Sequence, residues 1–149
     1  MKKKVHLSSR IFLINKKYKK NELYHYIQDP NNVITIPILK NNDLENSCII
    51  SSFNPFVLRR VRKLNPNIQI AYLWTKNKPQ FIINTPLWIW WCKPDGFHAD
   101  INLLDENLIK WIRRKNMTIL AFTIINKKQL NKIQHLKLDG IFLDDPHLY

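Results

Sequence analysis

The sequence predicts an α/β fold built on a parallel β-sheet, and three short apolar segments are the main reason. Residues 48–53, 118–123 and 140–146 each read as a buried strand that ends in polar residues. Helix-like stretches alternate with these strands, which is typical of βαβ units and a parallel sheet. A parallel α/β barrel presents its functional residues at the carboxyl ends of such strands. We therefore expect the polar ends of these segments to meet along one edge of the sheet.

Length limits how much of a barrel the chain can form. It has 149 residues, of which 45% are hydrophobic, and this is enough for one domain with a real core. A complete (β/α)8 barrel typically needs about 250 residues. We therefore expect one domain over residues 1–149 that forms part of a barrel.

The first third of the chain gives the weakest patterns. A short apolar run at residues 11–14 predicts a strand, and apolar residues at near-helical spacing predict a helix over residues 16–28. Residues 33–39 have β-like composition, but Pro37 argues against a central strand.

From residue 48 onward the elements follow in regular order. The strand at residues 48–50 leads into a helix that Asn54 can cap and Pro55 can begin. Asp105 can cap a second helix that ends near Lys115, and Gly140 begins the last strand. The remaining predicted elements are strands over residues 68–74 and 118–125, a mixed segment over 97–104, and a helix over 127–136.

Residues 76–94 contain Trp88, Trp90 and Trp91 in one apolar block. Three interpretations of this block stay open: packing in the core or a lid, an anchor at a membrane interface, and a dimer surface. Part of a barrel leaves open sheet edges and an uncovered inner face, which a homodimer or heterodimer could hide.

The net charge of +13 permits an anionic partner such as nucleic acid or acidic lipid. However, Lys, Asn and Ile are abundant throughout the chain, and the basic residues do not gather on one face. This distribution favours compositional drift, so we do not expect nucleic acid as the main partner.

The two cysteines, Cys48 and Cys92, lack the spacing of a metal or redox motif. Cys48 begins an apolar run and is predicted to be a small buried hydrophobe, which fits a reducing compartment. The apolar run after the basic N-terminus is too short for a secretory signal, and no stretch reaches the roughly 18 apolar residues of a transmembrane helix. We expect a cytoplasmic protein without a transmembrane segment.

Three blocks in the second half of the chain occur together in one known family. Ile50-Ser51-Ser52-Phe53 leads through a short helix to Pro66, residues 121–125 match the family strand A-x-T-V-N, and residues 138–146 match its closing V-D-G-I-x-T-D-x-P. With these blocks, the chain from residue 48 resembles the C-terminal half of the glycerophosphodiester phosphodiesterases. The resemblance implies part of a TIM-type (β/α)8 barrel, roughly strands four or five to eight. It also implies the family reaction in lipid metabolism, hydrolysis of glycerophosphodiesters to glycerol 3-phosphate and an alcohol with Mg or Ca.

Several family motifs have no counterpart in the sequence: a His-Arg-Gly motif with a catalytic His, a Glu-x-Asp motif that binds the metal, and a His-Asp pair with the second catalytic His. Leu13-Ile14-Asn15-Lys16 stands where a Glu-x-Lys strand is expected and keeps only the lysine. Phe122, Ile125 and Leu143 replace the Trp, Asn and Thr of the family.

These departures matter because phosphodiester hydrolysis requires a cation, an acid and a base. Hard cations take several carboxylate oxygens, yet of 11 acidic residues only Asp144 and Asp100 fall near a predicted strand end. We therefore predict no catalytic residue and no metal ligand set in this chain.

The resemblance implies that several residues hold substrate, and each also has a structural interpretation. Ser52 and Phe53 either line a pocket or simply end a strand before the Asn54 cap. Phe122 could instead pack in the core, and Thr123 could form hydrogen bonds at a strand end. Asp144 could cap the segment after the last strand, and Lys16 could be a solvated lysine. His98 is a lone histidine, which is more typical of a surface or a satisfied core position than of catalysis. The predicted substrate-binding residues are Ser52, Phe53, Phe122, Thr123, Asp144 and Lys16.

The sequence thus predicts a glycerophosphodiester phosphodiesterase-like chain that is inactive alone. It would be the product of a split or decaying gene, or one half of an enzyme completed by a second chain with the missing motifs. The alternative is a non-catalytic basic module that binds nucleic acid or an anionic membrane. Cation-dependent release of glycerol 3-phosphate after completion supports the first hypothesis, and binding with a steep salt dependence supports the second.

Overall fold

Strands and helices alternate along the described part of the chain. The computed structural model describes residues 9–12, 26–27, 35–41, 43, 45–75 and 86–143. The strands are β1 (Ser9–Phe12), β2 (Tyr26–Ile27), β3 (Ile49–Ser52), β4 (Gln69–Trp74), β5 (Gly96–Asp100), β6 (Thr118–Ile124) and β7 (Gly140–Leu143). The helices are α1 (Thr35–Asn41), α2 (Pro55–Leu64), α3 (Pro86–Cys92), α4 (Glu106–Arg113) and α5 (Lys127–Ile133).

The strands form one sheet in the order β2-β1-β3-β4-β5-β6-β7. Neighbours from β3 to β7 are parallel, with Ile50 beside Ile70 and Ala99 beside Ala121. These five parallel strands and their helices make half of an α/β barrel, which confirms the predicted fold class. Parallel strands have their carboxyl ends on one edge, so the polar strand ends do share one rim.

The N-terminal elements correct three predictions. The strand predicted at residues 11–14 is β1, shifted toward Ser9, and it runs antiparallel to β3. The helix predicted over residues 16–28 is wrong at Tyr26–Ile27, which pair with β1; its residues 16–25 and 28 lie outside the described part. In the segment with β-like composition, residues 35–39 belong to the helix α1, and residues 33–34 lie outside the described part. Pro37 is tolerated there because the first turn of a helix leaves its N–H groups without an intrahelical partner.

The parallel strands β3 to β6 bury side chains on both faces, since helices cover one side of the sheet and the barrel interior lies on the other. The helix-facing side packs Ile70, Phe97 and Ile119 against Leu58 of α2 and Ile112 of α4. Because successive side chains point to opposite faces, the other side belongs to the barrel interior. That side carries Ser51, Ala71, Leu73, His98, Leu120 and Phe142, all of them buried.

Three helices begin with a side chain that accepts a backbone N–H. Asn54 accepts from Phe56 with Pro55 next in the chain, and Asp105 accepts from Leu108 at 2.7 Å. These two caps are the predicted ones. Asn126 caps α5 in the same way through Gln129. Each cap satisfies a donor that the first helical turn leaves unpaired, which fixes where the helix starts after its strand.

The remaining observations concern segments that the sequence left ambiguous. The tryptophan block is helical from Pro86 to Cys92, and residues 76–85 lie outside the described part. Cys48 and Cys92 are buried free thiols, as predicted for Cys48, and burial raises the pKa of Cys48 to about 11. Among the helices described here, none is both long and apolar enough to cross a bilayer.

Candidate functional site

The candidate site lies on the rim where the parallel strands end. Ser52 ends β3, Asp100 ends β5, and Phe122 lies near the end of β6, beside Asp100 in the sheet. Thr75 directly follows β4. In parallel α/β barrels this carboxyl rim is where substrate and catalytic groups sit, while the opposite rim serves stability.

An aromatic pair lies on this rim. The rings of Phe53 and Phe122 meet edge to face, with centroids 6.1 Å apart and planes 83° to each other. Phe53 is buried and Phe122 is partly exposed. Edge-to-face pairs of this kind contribute about 0.5–1.5 kcal/mol beyond the area they bury. The partly exposed Phe122 ring, held by Phe53, can offer an apolar surface to a ligand at the mouth of the half-barrel.

Ser52 has a structural contact at the same place. Its Oγ accepts a hydrogen bond from the N–H of Asn54 at 3.0 Å, and the residue is fully buried. The Asn54 side chain in turn caps α2. This chain of contacts fixes the turn from strand to helix, so the structural interpretation of Ser52 has a direct observation behind it.

A polar pair follows on the next two strands. Thr75 Oγ1 donates to Asp100 Oδ2 at 3.0 Å. The other oxygen, Oδ1, accepts from the backbone and side-chain nitrogens of Asn102 at 2.9 and 3.0 Å. Asp100 therefore has both carboxylate oxygens occupied, and it orients the turn after β5. Thr75 was not among the site residues predicted from the sequence. Its position directly after an apolar strand is the pattern that predicts a place on the rim.

Beneath the rim, a histidine is enclosed in the barrel interior. His98 has no exposed surface, and its Nδ1 lies 2.9 Å from Ser51 Oγ in a hydrogen bond between β5 and β3. Its ring packs edge to face on Phe142 of β7, with centroids 5.3 Å apart. Within the described part of the chain, Nε2 has no hydrogen-bond partner.

Burial determines the protonation state of His98. Removal from water disfavours the charged imidazolium and lowers the pKa of His98 from 6.5 to about 3. The ring is therefore neutral near pH 7. It joins three strands of the sheet, and it has no access to solvent through which a general acid or base would exchange protons. His98 therefore fits a core position better than a catalytic one, and among the described residues it is hydrogen-bonded through Nδ1 but not through Nε2.

The structure brings some of the predicted substrate-binding residues together. Ser52, Phe53, Phe122 and Thr123 lie on the carboxyl rim at the ends of β3 and β6. Thr123 is partly exposed beside Phe122. The other two predicted residues, Lys16 and Asp144, lie outside the described residues. Their roles remain predictions from the resemblance.

The described residues do not fit a divalent cation site. Residues 45–75 and 86–143, with the short N-terminal segments, contain no group of three or more His, Cys, Asp or Glu side chains that could hold a metal. Asp100 is the carboxylate at the rim, and both its oxygens accept other hydrogen bonds. Mg²⁺ and Ca²⁺ require several oxygen ligands, so these residues alone supply no metal chemistry.

The amino-terminal rim is built differently, from two equivalent clamps. Arg62 of α2 donates to Asp95 Oδ2 at 2.5 Å, and the same oxygen accepts the N–H of Ile70. Arg113 of α4 donates twice to Asp139, at 2.7 and 3.0 Å. The first clamp ties α2 to the residue just before β5, and the second ties α4 to the residue just before β7.

The second clamp also lowers the pKa of Asp139. Burial alone would raise the pKa of Asp139, but hydrogen bonds from Arg113 and from the N–H of Ile119, with the charge of Arg113, hold that pKa below its ordinary value. The carboxylate therefore stays charged well into the acid range. Its role is to hold Arg113 and β6 in place.

Comparison with known proteins gives one family. The profile of the glycerophosphoryl diester phosphodiesterase family matches residues 4–148. A glycerophosphodiester phosphodiesterase of Caldanaerobacter subterraneus subsp. tengcongensis is 26% identical over 144 residues, which is 94% of this chain and 55% of that protein. The chain thus spans about half the length of the curated relatives it matches.

Solved structures agree on the fold. A phosphodiesterase of Oleispira antarctica, determined in complex with its product sn-glycerol-3-phosphate, superposes with a TM-score of 0.62 at 24% identity, covering 77% of this chain and 45% of the other. A glycerophosphodiester phosphodiesterase of Thermotoga maritima gives a TM-score of 0.57 at 20% identity, covering 74% and 49%. At such identities the likeness establishes the half-barrel architecture.

Proposed function

The chain belongs to the glycerophosphoryl diester phosphodiesterase family, and we propose that it forms the substrate-holding half of such an enzyme. In this proposal it acts on a glycerophosphodiester only when a polypeptide that carries the missing catalytic and metal-binding motifs completes the barrel. The observation that carries the proposal is the carboxyl rim, where β3 and β6 place Phe53 and Phe122 in contact. The described rim offers apolar and hydroxyl groups but no metal ligand set.

Each rim residue has a role in the proposal that its chemistry permits. Phe122 supports the carbon skeleton of the glycerol or alcohol group, and Phe53 fixes its ring. The hydroxyl group of Thr123, next to it, donates a hydrogen bond to a substrate oxygen. Ser52 acts through the turn that it stabilises. The family resemblance adds Lys16 as a phosphate-binding cation and Asp144, which follows β7 in the sequence, as a further substrate contact.

The chemical step is assigned to groups outside this chain. Hydrolysis needs a cation to balance the charge that develops on the phosphoryl oxygens, and an acid and a base to move protons. His98 is enclosed and neutral, so it performs neither proton transfer. The chain by itself is therefore expected to bind the glycerol phosphate portion without cleaving the ester.

Reconstitution tests this proposal. The chain is mixed with a fragment of a relative that carries the His-Arg-Gly and Glu-x-Asp motifs, and release of glycerol 3-phosphate from glycerophosphocholine is followed with Mg²⁺ or Ca²⁺. We expect no release from either part and cation-dependent release from the pair. The matched control is the pair that contains Phe122→Ala, which should bind its partner normally but turn over more slowly.

One result would refute the proposal. If the pair forms a stable complex by sedimentation and remains inert with both cations, this chain does not supply a working half-site. Binding of glycerol 3-phosphate to the chain alone, measured by calorimetry, gives a separate readout that does not depend on assembly.

A further inference from the structure

The outward face of α3 is apolar, which is unusual for a helix in the outer layer of an α/β fold. A surface helix normally turns polar residues to solvent. Here Leu87 is 72% exposed and Trp90 is 75% exposed, while Ile89 and Cys92 of the same helix are buried against the core. The helix therefore has two apolar faces, and in the described part of the chain only one of them is covered.

The apolar surface continues from α3 onto α2. Phe56 is 56% exposed, and its ring centroid lies 5.3 Å from that of Trp88 and 5.2 Å from that of Trp91. Trp88 and Trp91 are themselves 5.7 Å apart. The guanidinium of Arg59 lies over the Trp91 ring at 5.7 Å, so a cation borders this aromatic cluster.

Lysines border the other side of α3. Leu87 and Trp90 line an open groove of about 450 Å³ between α3 and α4, and Lys93 and Lys115 line it with them. The described residues that line this groove include no carboxylate. Both lysines are exposed. The surface thus combines protruding apolar side chains with positive charge at its border.

We propose that this surface, formed by Phe56, Leu87, Trp90, Lys93 and Lys115, docks on an anionic lipid bilayer. Indole and aliphatic side chains enter the boundary between head groups and acyl chains, and lysines at the border attract anionic head groups. This inference is independent of the proposed function, because the surface lies on the helical layer and contains no residue of the carboxyl rim.

Charge favours a bilayer over a second copy of the chain. The net charge is +13, so self-association through this face would bring two sets of lysines together. Packing favours a bilayer over single-stranded nucleic acid, which stacks its bases on open aromatic faces. Here Trp91 is packed edge to face against Phe56 and Trp88, and Trp90 lines its groove together with the aliphatic Leu87.

Vesicle binding tests the proposal on the full chain. Sucrose-loaded vesicles of phosphatidylcholine alone, and of phosphatidylcholine with phosphatidylglycerol, are sedimented with the protein. We expect binding that requires the anionic lipid and weakens with salt. Brominated acyl chains should quench the tryptophan fluorescence, and Trp90→Phe should lose part of that quenching.

Two paired variants locate the contact. Leu87→Ser with Trp90→Ser should lower the partition coefficient at least tenfold, against a matched control of Leu64→Ser with Ile125→Ser, whose apolar side chains are exposed elsewhere. Lys93→Gln with Lys115→Gln should lower it by about fivefold for each lysine. Lys127→Gln with Lys132→Gln on α5 removes equal charge and should have a smaller effect.

Three results would overturn the proposal. The first is equal vesicle binding by the paired surface variants and their controls. The second is a concentration-dependent dimer in sedimentation velocity that the Leu87→Ser, Trp90→Ser variant abolishes, which assigns the face to self-association. The third is an oligouridylate that binds more tightly than vesicles and through the same residues, which assigns it to nucleic acid.

Discussion

The two rims of the half-barrel are held by different kinds of contact. On the amino-terminal rim, Asp95 and Asp139 each accept hydrogen bonds from an arginine and from a backbone N–H of the neighbouring strand. On the carboxyl rim, the described contacts include an aromatic pair, a threonine–carboxylate hydrogen bond and local hydrogen bonds in the turns after β3 and β5, without an arginine. The first rim ties helices to strands, and the second leaves Phe122 partly open. The amino-terminal rim is thus the more strongly tied of the two, and the carboxyl rim is the end at which parallel α/β barrels hold their ligands.

The two glycines in the chain lie where side chains of neighbouring strands approach the backbone closely. Each glycine directly follows a clamp aspartate, as Asp95-Gly96 and Asp139-Gly140. A Cβ on Gly96 would lie 2.7 Å from Thr118 Oγ1 and 3.3 Å from the Cβ of Ala71. The strand that starts after the clamp therefore lies too close to its neighbours for a larger residue without some adjustment.

The largest effect is expected from removing a clamp. Asp139→Ala leaves the buried N–H of Ile119 without its acceptor and leaves Arg113 with the carbonyl oxygen of Lys137 in place of a carboxylate. We expect the free energy of unfolding to fall by about 3 kcal/mol, most of it from the unsatisfied N–H, because the partly exposed ion pair itself contributes little. Urea denaturation measures the change.

A matched control for the clamp is the exposed pair of Lys110 and Glu106 on α4, 3.4 Å apart. Glu106→Gln should cost about 0.5 kcal/mol or less. If Asp139→Ala costs no more than this control, the amino-terminal rim is not the stabilising end.

The next effect concerns the interior between the rims and depends on pH. The pKa of His98 is about 3 in the folded chain and 6.5 in the unfolded one, so below pH 6.5 the unfolded state binds an additional proton. Stability is therefore lost as pH falls from about 6.5 toward 3. We expect a loss of about 2 kcal/mol between pH 7 and pH 5 from this group. The lowered pKa of Asp139 acts in the same direction but at lower pH.

Thermal unfolding at pH 7 and pH 5 measures this loss, and His98→Gln should reduce it. Should that variant fail to fold, NMR of the native imidazole gives the same information, since the His98 resonance should not shift over this range. An imidazole that titrates near pH 6 would contradict the burial described here.

A smaller change in stability is expected on the carboxyl rim. Phe122→Ala removes a partly exposed ring from its contact with Phe53, and we expect it to cost about 1.5 kcal/mol. The same substitution should reduce the affinity of the chain for glycerol 3-phosphate about tenfold. Ile125→Ala, at an exposed position nearby, should change neither quantity. Equal affinity of Phe122→Ala and the parent chain would make Phe122 a packing residue only.

The smallest expected effect compares one threonine on each rim. Thr75→Val removes the hydrogen bond to Asp100 and should cost about 1 kcal/mol. Thr118→Val removes a longer contact, 3.4 Å from its Oγ1 to the carbonyl oxygen of Asp95, at an exposed position and should cost less. The reverse order in denaturation experiments would show that the Thr75–Asp100 pair does not organise the turn after β5.

Much of the fold from residue 48 onward was predictable. Apolar runs of strand length, with the Asn54 and Asp105 caps, specify the alternation locally, so these elements occur where expected. The failures lie in the first third and in residues 86–100, where the sequence left α3 and β5 unassigned. Pro37 suggested a broken strand because sequence composition does not reveal that a proline can occupy the first turn of a helix. Tyr26 and Ile27 form a strand because β1 offers an edge to pair with, a non-local contact that helical spacing cannot show.

The candidate site was predictable only in outline. Family blocks located Ser52, Phe53, Phe122 and Thr123, and the strand order puts them on one rim. The contact of Thr75 with Asp100 and of Ser51 with His98 joins residues 25 and 47 positions apart. No local pattern encodes such pairs, because they arise from the register of neighbouring strands.

From residue 48 onward, the sequence by itself determined the type and order of most elements, though not α3 or β5, and the family to which the chain belongs. Those properties rest on local periodicity, capping residues and short motifs, all of which are read along the chain. Only the tertiary structure decided that His98 is neutral and enclosed, that Asp95 and Asp139 hold arginines, and that Leu87 and Trp90 remain exposed. These properties depend on burial and on which side chains meet across strands and helices, and both are set by packing in three dimensions.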